Sequence, residues 1–188
     1  MITRRLIFII SGEIDSGKTR LCLTASETFK ELGWRVCGLA SPGVFHEGHK
    51  VGIDAQDLQS GERRRLAELQ SSDATMTGPQ TKRWAFSDDT LAWCNSLFGT
   101  FTDCDLVIVD ELGPLEFDRS EGLLSALRAI DNGRYRLALV VVRPSLLATA
   151  QARWPAAETL QISNPEEIES HMKKIRFYGQ SLVDSSNA

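Results

Sequence analysis

Gly12, Glu13, Ile14, Asp15, Ser16, Gly17, Lys18 and Thr19 fit the pattern G-x-x-x-x-G-K-[ST]. An apolar run, Leu6 to Ile10, stands directly before them and reads as a buried parallel strand. A helix-compatible stretch, Arg20 to Leu32, follows and stops at Gly33. Strand, glycine-bearing loop and helix in this order make a phosphate cradle. Loop N–H groups and a helix N-terminus point at an anion, and backbone dipoles favour negative charge there. In such a loop Lys18 sets a point charge on the β- and γ-phosphates, and the Thr19 hydroxyl is placed for Mg²⁺.

The chain has 188 residues, enough for one domain with a sizeable core. We read residues 1–180 as that domain and 181–188 as a frayed tail. A net charge of -4 with dispersed basic residues argues against a general nucleic-acid or membrane-surface binder. Arg63-Arg64-Arg65 is the one basic run and reads as a solvated turn. Cys22, Cys37, Cys94 and Cys104 form no C-x-x-C pair, and His46, His49 and His171 are scattered. Reduced, partly buried thiols in a cytoplasmic protein are the expectation. The N-terminal apolar run is short and leads into the glycine loop, which argues against a signal peptide. No stretch has the length of a transmembrane helix.

Further along, Val36 to Ala40 reads as a strand, and Val44-Phe45 with Lys50 to Asp54 as a hairpin. Arg65 to Leu69 adds a short strand, and Gln70 to Arg83 has the composition of a mobile loop. Ser87 or Asp88 caps a helix over about 89–98, with Leu91, Leu97 and Phe98 toward the core and Trp93 beside them. Leu106 to Val109 and Leu137 to Val142 are continuous apolar strands. Ser120 is read as the cap of the helix holding Leu123, Leu124, Leu127 and Ile130. Leu146 to Arg153 reads as a short helix and Thr159 to Ile162 as the last strand. Asn164, with Pro165 at the first helical position, caps a final helix through about Ile175. The alternation implies an α/β fold of the P-loop type: three layers, α/β/α, with a mostly parallel sheet and an antiparallel hairpin addition.

The strand 106–109 runs into Asp110-Glu111. A strand-end Asp holds Mg²⁺ in P-loop enzymes, and the next Glu can orient or deprotonate the attacking water. Both this strand end and the loop lie where open α/β sheets bind ligands. Asp110 to Gly113 also matches D-x-x-G, but no N-K-x-D follows to read guanine. Arg143 follows a strand and reads equally as a phosphate or base contact and as a surface arginine. Trp84 and Phe86 are candidates for base stacking, with core packing expected for one of them.

The loop 12–19, the segment 41–54, Trp84-Ala85-Phe86 and the run from Val109 to Phe117 occur in an order that resembles the THEP-type nucleoside-triphosphatases. The resemblance spans roughly residues 6–145. It implies slow, Mg²⁺-dependent hydrolysis of ATP, GTP and other NTPs, CTP and UTP among them, with little base discrimination. The binding residues it carries over are Gly12 through Thr19, Asp110, Glu111 and Gly113. Lys18 and Glu111 are the expected catalytic residues, and Thr19 and Asp110 the metal ligands. It names no protein partner. The chain departs from the family at Asp15, where such loops commonly carry Gly; a carboxylate there opposes phosphate unless it pairs with a cation such as Arg20. Two other function classes fit the same loop. One is a small nucleotide or nucleoside kinase with Arg63 to Arg65 or Lys82-Arg83 as a lid. The other is a nucleotide-switched protein-binding module.

Overall fold

The computed structural model describes residues 5–70 and 76–184, with the side chains of 183 and 184 left aside. The parallel core comprises β1 (Leu6–Ser11), β2 (Val36–Ala40), β7 (Leu106–Leu112), β8 (Leu137–Val142) and β9 (Glu158–Gln161). The remaining strands are β3 (Gly43–His46), β4 (His49–Asp57), β5 (Arg63–Leu69) and β6 (Trp84–Phe86). They lie in one sheet in the order β6-β5-β4-β2-β7-β8-β1-β9, with β3 paired to β4. Every ladder from β2 to β9 is parallel. Every ladder from β2 outward through β4, β5 and β6 is antiparallel. The expected hairpin is thus one part of a four-stranded antiparallel wing. Its turn, Glu47-Gly48, has φ of 48° and 78°, the pair of positive angles that a two-residue hairpin requires.

Alternation along the parallel strands builds two cores. Ile7, Ile9, Val107, Val109, Ala138 and Val140 face one way. Phe8, Ile10, Leu106, Ile108, Leu137 and Leu139 face the other. Helices α1 (Lys18–Glu31) and α6 (Ile168–Asp184) supply Phe29, Met172 and Ile175 to the second core. Helices α2 (Asp88–Thr100), α4 (Leu124–Asn132) and α5 (Leu147–Arg153) supply Leu91, Ile130 and Ala150 to the first. Burial on both faces explains why β8 is apolar at every position; each large side chain there gains about 1.5–3 kcal/mol over exposure. The short α3 (Pro114–Phe117) connects β7 toward α4.

Several expectations change. Ser120 does not cap α4; it sits at φ 53°, and Leu123 takes the N-cap position. The Glu116 carboxylate accepts the Leu123 N–H there instead. Ser87 does cap α2, accepting the Thr90 N–H; Leu91 and Phe98 are buried as expected, Cys94 is buried with them, and Leu97 and Trp93 are only partly buried. The final helix passes Ile175 and continues to Asp184, with Leu182 buried. The first part of the expected tail is therefore helical, and 185–188 lie outside the described residues. Cys37 and Cys104 are joined in a disulfide, which corrects the expectation of four reduced thiols. Cys37 lies on β2 and Cys104 just before β7, the parallel neighbour of β2, with the Cα atoms 6.0 Å apart. Cys22 and Cys94 remain buried thiols. Of the polar loop, 71–75 lie outside the described residues, and Gln80 bridges to Ala85.

Candidate functional site

The glycine loop links the end of β1 to the start of α1. Gly12 passes so close to the last strand that a Cβ would lie 2.1 Å from the Ile162 carbonyl oxygen. Gly17 turns the chain into α1 at φ 103°, a left-handed angle that favours glycine. Lys18 folds back over the loop, donating to the Gly12 carbonyl at 2.8 Å, to the Glu13 carbonyl and, at 3.4 Å, to Ser16 Oγ. Its ammonium thus rests on loop oxygens at the place where phosphate oxygens are expected. Partial burial lowers the Lys18 pKa; Glu111, Asp110, Glu13 and Asp15 oppose that shift.

Asp110 is buried and sits against Thr19. Its carboxylate accepts the Ser41 N–H at 2.9 Å and a hydrogen bond from the Thr19 side chain. Ser41 Oγ also donates to the Asp110 carbonyl at 2.7 Å, so the end of β2 holds the end of β7. Burial pushes the Asp110 carboxyl up to about 6, against the hydrogen bonds from Ser41 and Thr19. The two expected metal ligands are therefore in contact.

The register of β7 on β8 shows what separates Asp110 from Glu111. Val109 pairs with Val140 and Leu112 with Val142, so Asp110 and Glu111 share the space opposite Val141. This is a bulge, and Glu111 takes φ 89° within it. Such an angle is strained for a non-glycine residue, and strain of this kind clusters at functional sites. Glu111 is paired with Arg143, whose Nε donates to Oε1 at 2.6 Å. Arg143 is thus brought to the site by a carboxylate.

Gly113 follows the bulge and leads into α3. It gives its N–H to Glu116 Oε2 at 2.8 Å. Glu116 is buried and spans the Gly113 and Leu123 N–H groups, fixing the segment that follows the bulge. This residue was missed from sequence. The signal for it was partial: Pro114 at the first helical position and Glu116 at the third give the glutamate half of a capping box, while Gly113 at the N-cap has no side chain to give the other half.

Glu13, Ile14 and Asp15 are exposed, whereas Ser16 is buried. Asp15 stands at φ 61°, and no ion pair joins it to Arg20 among the described residues. Its influence on Lys18 marks it as close to the cradle. Asp15→Gly is therefore expected to tighten binding of a non-hydrolysable Mg·NTP about two- to fivefold, an effect that fades as salt rises. Titration at two salt concentrations checks this. Weaker binding would mean that Asp15 helps hold the loop.

Trp84 is buried in the core, while Phe86 is half-buried and lines a cleft beside Glu111 and Arg143. The lid cations are mostly engaged elsewhere. Arg65 pairs with Asp54 and Glu68, Arg64 pairs with Glu62 and lies over Trp93, and Arg83 lies over Trp84.

The NTPase family model matches residues 7–168, which span the glycine loop, Asp110 and Glu111. The chain belongs to the NTPase family. Its enzyme class is therefore nucleoside-triphosphatase. The nucleoside-triphosphatase THEP1 of Methanopyrus kandleri is 31% identical over 121 residues. That alignment spans 64% of each chain, just under two thirds of the relative's length. THEP1 of Archaeoglobus fulgidus is 31% identical over 134 residues, 70% of this chain and 74% of its own. Among solved structures, a human cancer-related nucleoside triphosphatase superposes with a TM-score of 0.70 at 18% identity, over 95% of this chain and 98% of its own. THEP1 from Aquifex aeolicus gives 0.67 at 16% identity, over 90% and 96%. These two likenesses speak for the α/β fold of this NTPase. Among the described residues no helix is long and apolar enough to cross a membrane.

Proposed function

We propose that the chain is a Mg²⁺-dependent NTP phosphohydrolase with low base specificity, built as one three-layer α/β/α P-loop domain over residues 1–180. The observation that carries the reading is the contact of Thr19 with buried Asp110 at the mouth of a lysine-capped glycine loop. These residues fit a divalent ion. Asp110 is a carboxylate whose burial is poorly compensated, as its raised pKa records, and the Thr19 hydroxyl stands beside it. No group of three or more His, Cys, Asp or Glu side chains competes as a metal site among the described residues. One carboxylate, one hydroxyl, phosphate oxygens and water make an ordinary Mg²⁺ shell. A bound Mg²⁺ would neutralise charge on the β- and γ-phosphates.

Loop N–H groups from Gly12 to Thr19 and the α1 N-terminus bind phosphate. Lys18 exchanges its loop carbonyls for phosphate oxygens, which hold more negative charge. Glu111, turned by the bulge, orients water for in-line attack and receives its proton. Arg143 neutralises Glu111 in the resting site and is within reach to follow the charge onto the phosphoryl group. Gly113 acts indirectly, through the segment that Glu116 holds. A cytoplasmic setting goes with this substrate.

The low base selectivity is supported by the absence of N-K-x-D together with the family resemblance. Release of phosphate from ATP, GTP, CTP and UTP is expected to differ by less than about tenfold in kcat/KM, roughly 1.4 kcal/mol. A preference above about a hundredfold for one base, roughly 2.7 kcal/mol, would contradict the low specificity.

A further inference from the structure

Beside Glu111 the wing and the parallel sheet part to leave a cleft. Ile53, Leu66, Phe86, Leu91, Leu115 and Leu123 line it. Its empty volume is about 520 Å³, a figure that includes the solvent space at its open mouth. Its enclosed end is far smaller, so an occupant is limited to about one ring.

The polar groups of this cleft are unevenly committed. Ser41 is spent on Asp110 through both its N–H and its hydroxyl. The Thr81 hydroxyl accepts the Trp84 N–H at 3.1 Å. Both Glu116 oxygens accept backbone N–H groups. Glu111 and Arg143 remain, half-exposed and paired to one another at one end. Among the described residues no Asn, Gln or Lys lines the cleft. A nucleobase edge, which needs several donors and acceptors, finds no complement here. A phosphorylated acceptor finds few cations, since Arg64, Arg65 and Arg83 are turned to other partners. What fits is an apolar body with one hydroxyl directed at the carboxylate.

We propose that this cleft is the acceptor site of a phosphotransferase activity, taking a neutral hydroxyl group carried on a single-ring apolar body. The proposal rests on the reading of the glycine loop and Glu111 given above. In the step, the bond between the γ-phosphorus and the β–γ bridging oxygen breaks as a bond from the alcohol oxygen forms. The hydroxyl proton passes to Glu111, and the nucleoside diphosphate leaves. The products are a phosphate monoester, NDP and one proton, with water as the competing nucleophile. Burial of the ring expels water from one side of Glu111 and raises the effective concentration of the alcohol over that of water.

The test uses the full chain with Mg·ATP and benzyl alcohol or cyclohexylmethanol as probes, with products resolved by ³¹P NMR. With either probe, the ratio of ester to inorganic phosphate is expected to exceed the mole ratio of alcohol to water by at least about tenfold, the sign of a bound nucleophile. Phe86→Ala widens the cleft and is expected to raise ester formation from 2-naphthylmethanol relative to benzyl alcohol by about tenfold, both esters being read against inorganic phosphate in the same reaction. Phe86→Leu serves if the alanine variant does not fold. Ester only at the mole ratio from both probes, with hydrolysis intact, overturns the acceptor site and leaves the hydrolase reading standing. Faster hydrolysis without ester also overturns it, making the cleft an effector site. Loss of hydrolysis and nucleotide binding in the wild-type chain overturns both readings.

Discussion

Lys18→Ala is expected to lower kcat for NTP hydrolysis by at least about 10²–10³-fold, roughly 2.7–4 kcal/mol. Lys18 is seated on the oxygens of the loop, and its ammonium lies over Gly12, Glu13 and Ser16. Phosphate oxygens carry more charge than those carbonyls, and the charge redistributes during transfer. The fold should survive. Lys18 is only half-buried, its pKa is lowered by partial burial, and its contacts are local to the loop. A circular dichroism spectrum and a melting curve close to wild type, measured with the phosphate assay, separate lost chemistry from lost structure. A variant with wild-type kcat would remove Lys18, and the loop with it, from the mechanism.

Glu111→Gln is the second large effect. The amide keeps the shape of the side chain and its place in the bulge, but it is a far weaker base. Turnover is expected to fall about 10²-fold or more, with nucleotide affinity changed little. Arg143 sharpens this expectation. In the resting site it donates to Glu111; in the variant it loses a charged partner, so binding of the anionic substrate should hold or tighten slightly. Single-turnover kinetics with equilibrium titration reads both quantities. Turnover that persists while affinity collapses would make Glu111 a binding or structural residue.

The parts of the site readable from sequence are those whose chemistry is local. The spacing from Gly12 to Thr19 is set by one turn of chain, and a four-residue apolar run before Asp110 announces a strand end. The parallel strands were equally legible, because burial on both faces leaves continuous apolar runs such as β8. What escaped depends on register between distant segments. The bulge at Asp110-Glu111 exists only relative to β8, so it leaves no mark in the run from 106 to 112. The Glu111–Arg143 pair joins residues 32 apart. The Cys37–Cys104 bond joins residues 67 apart, and no C-x-x-C spacing foretells it. Ser120 was a reasonable cap by type, yet the turn places it at positive φ and Glu116 reaches the Leu123 N–H instead.

The central claim is that the loop, Asp110 and Glu111 together turn over NTP without needing a second substrate. Release of inorganic phosphate from ATP by the purified chain, followed with Mg²⁺ and then with excess EDTA, tests it most directly. The account predicts many phosphates released per chain with Mg²⁺ and none above background with EDTA. Tight nucleotide binding with less than one phosphate released per chain in Mg²⁺ would contradict it and leave a nucleotide-switched binding module.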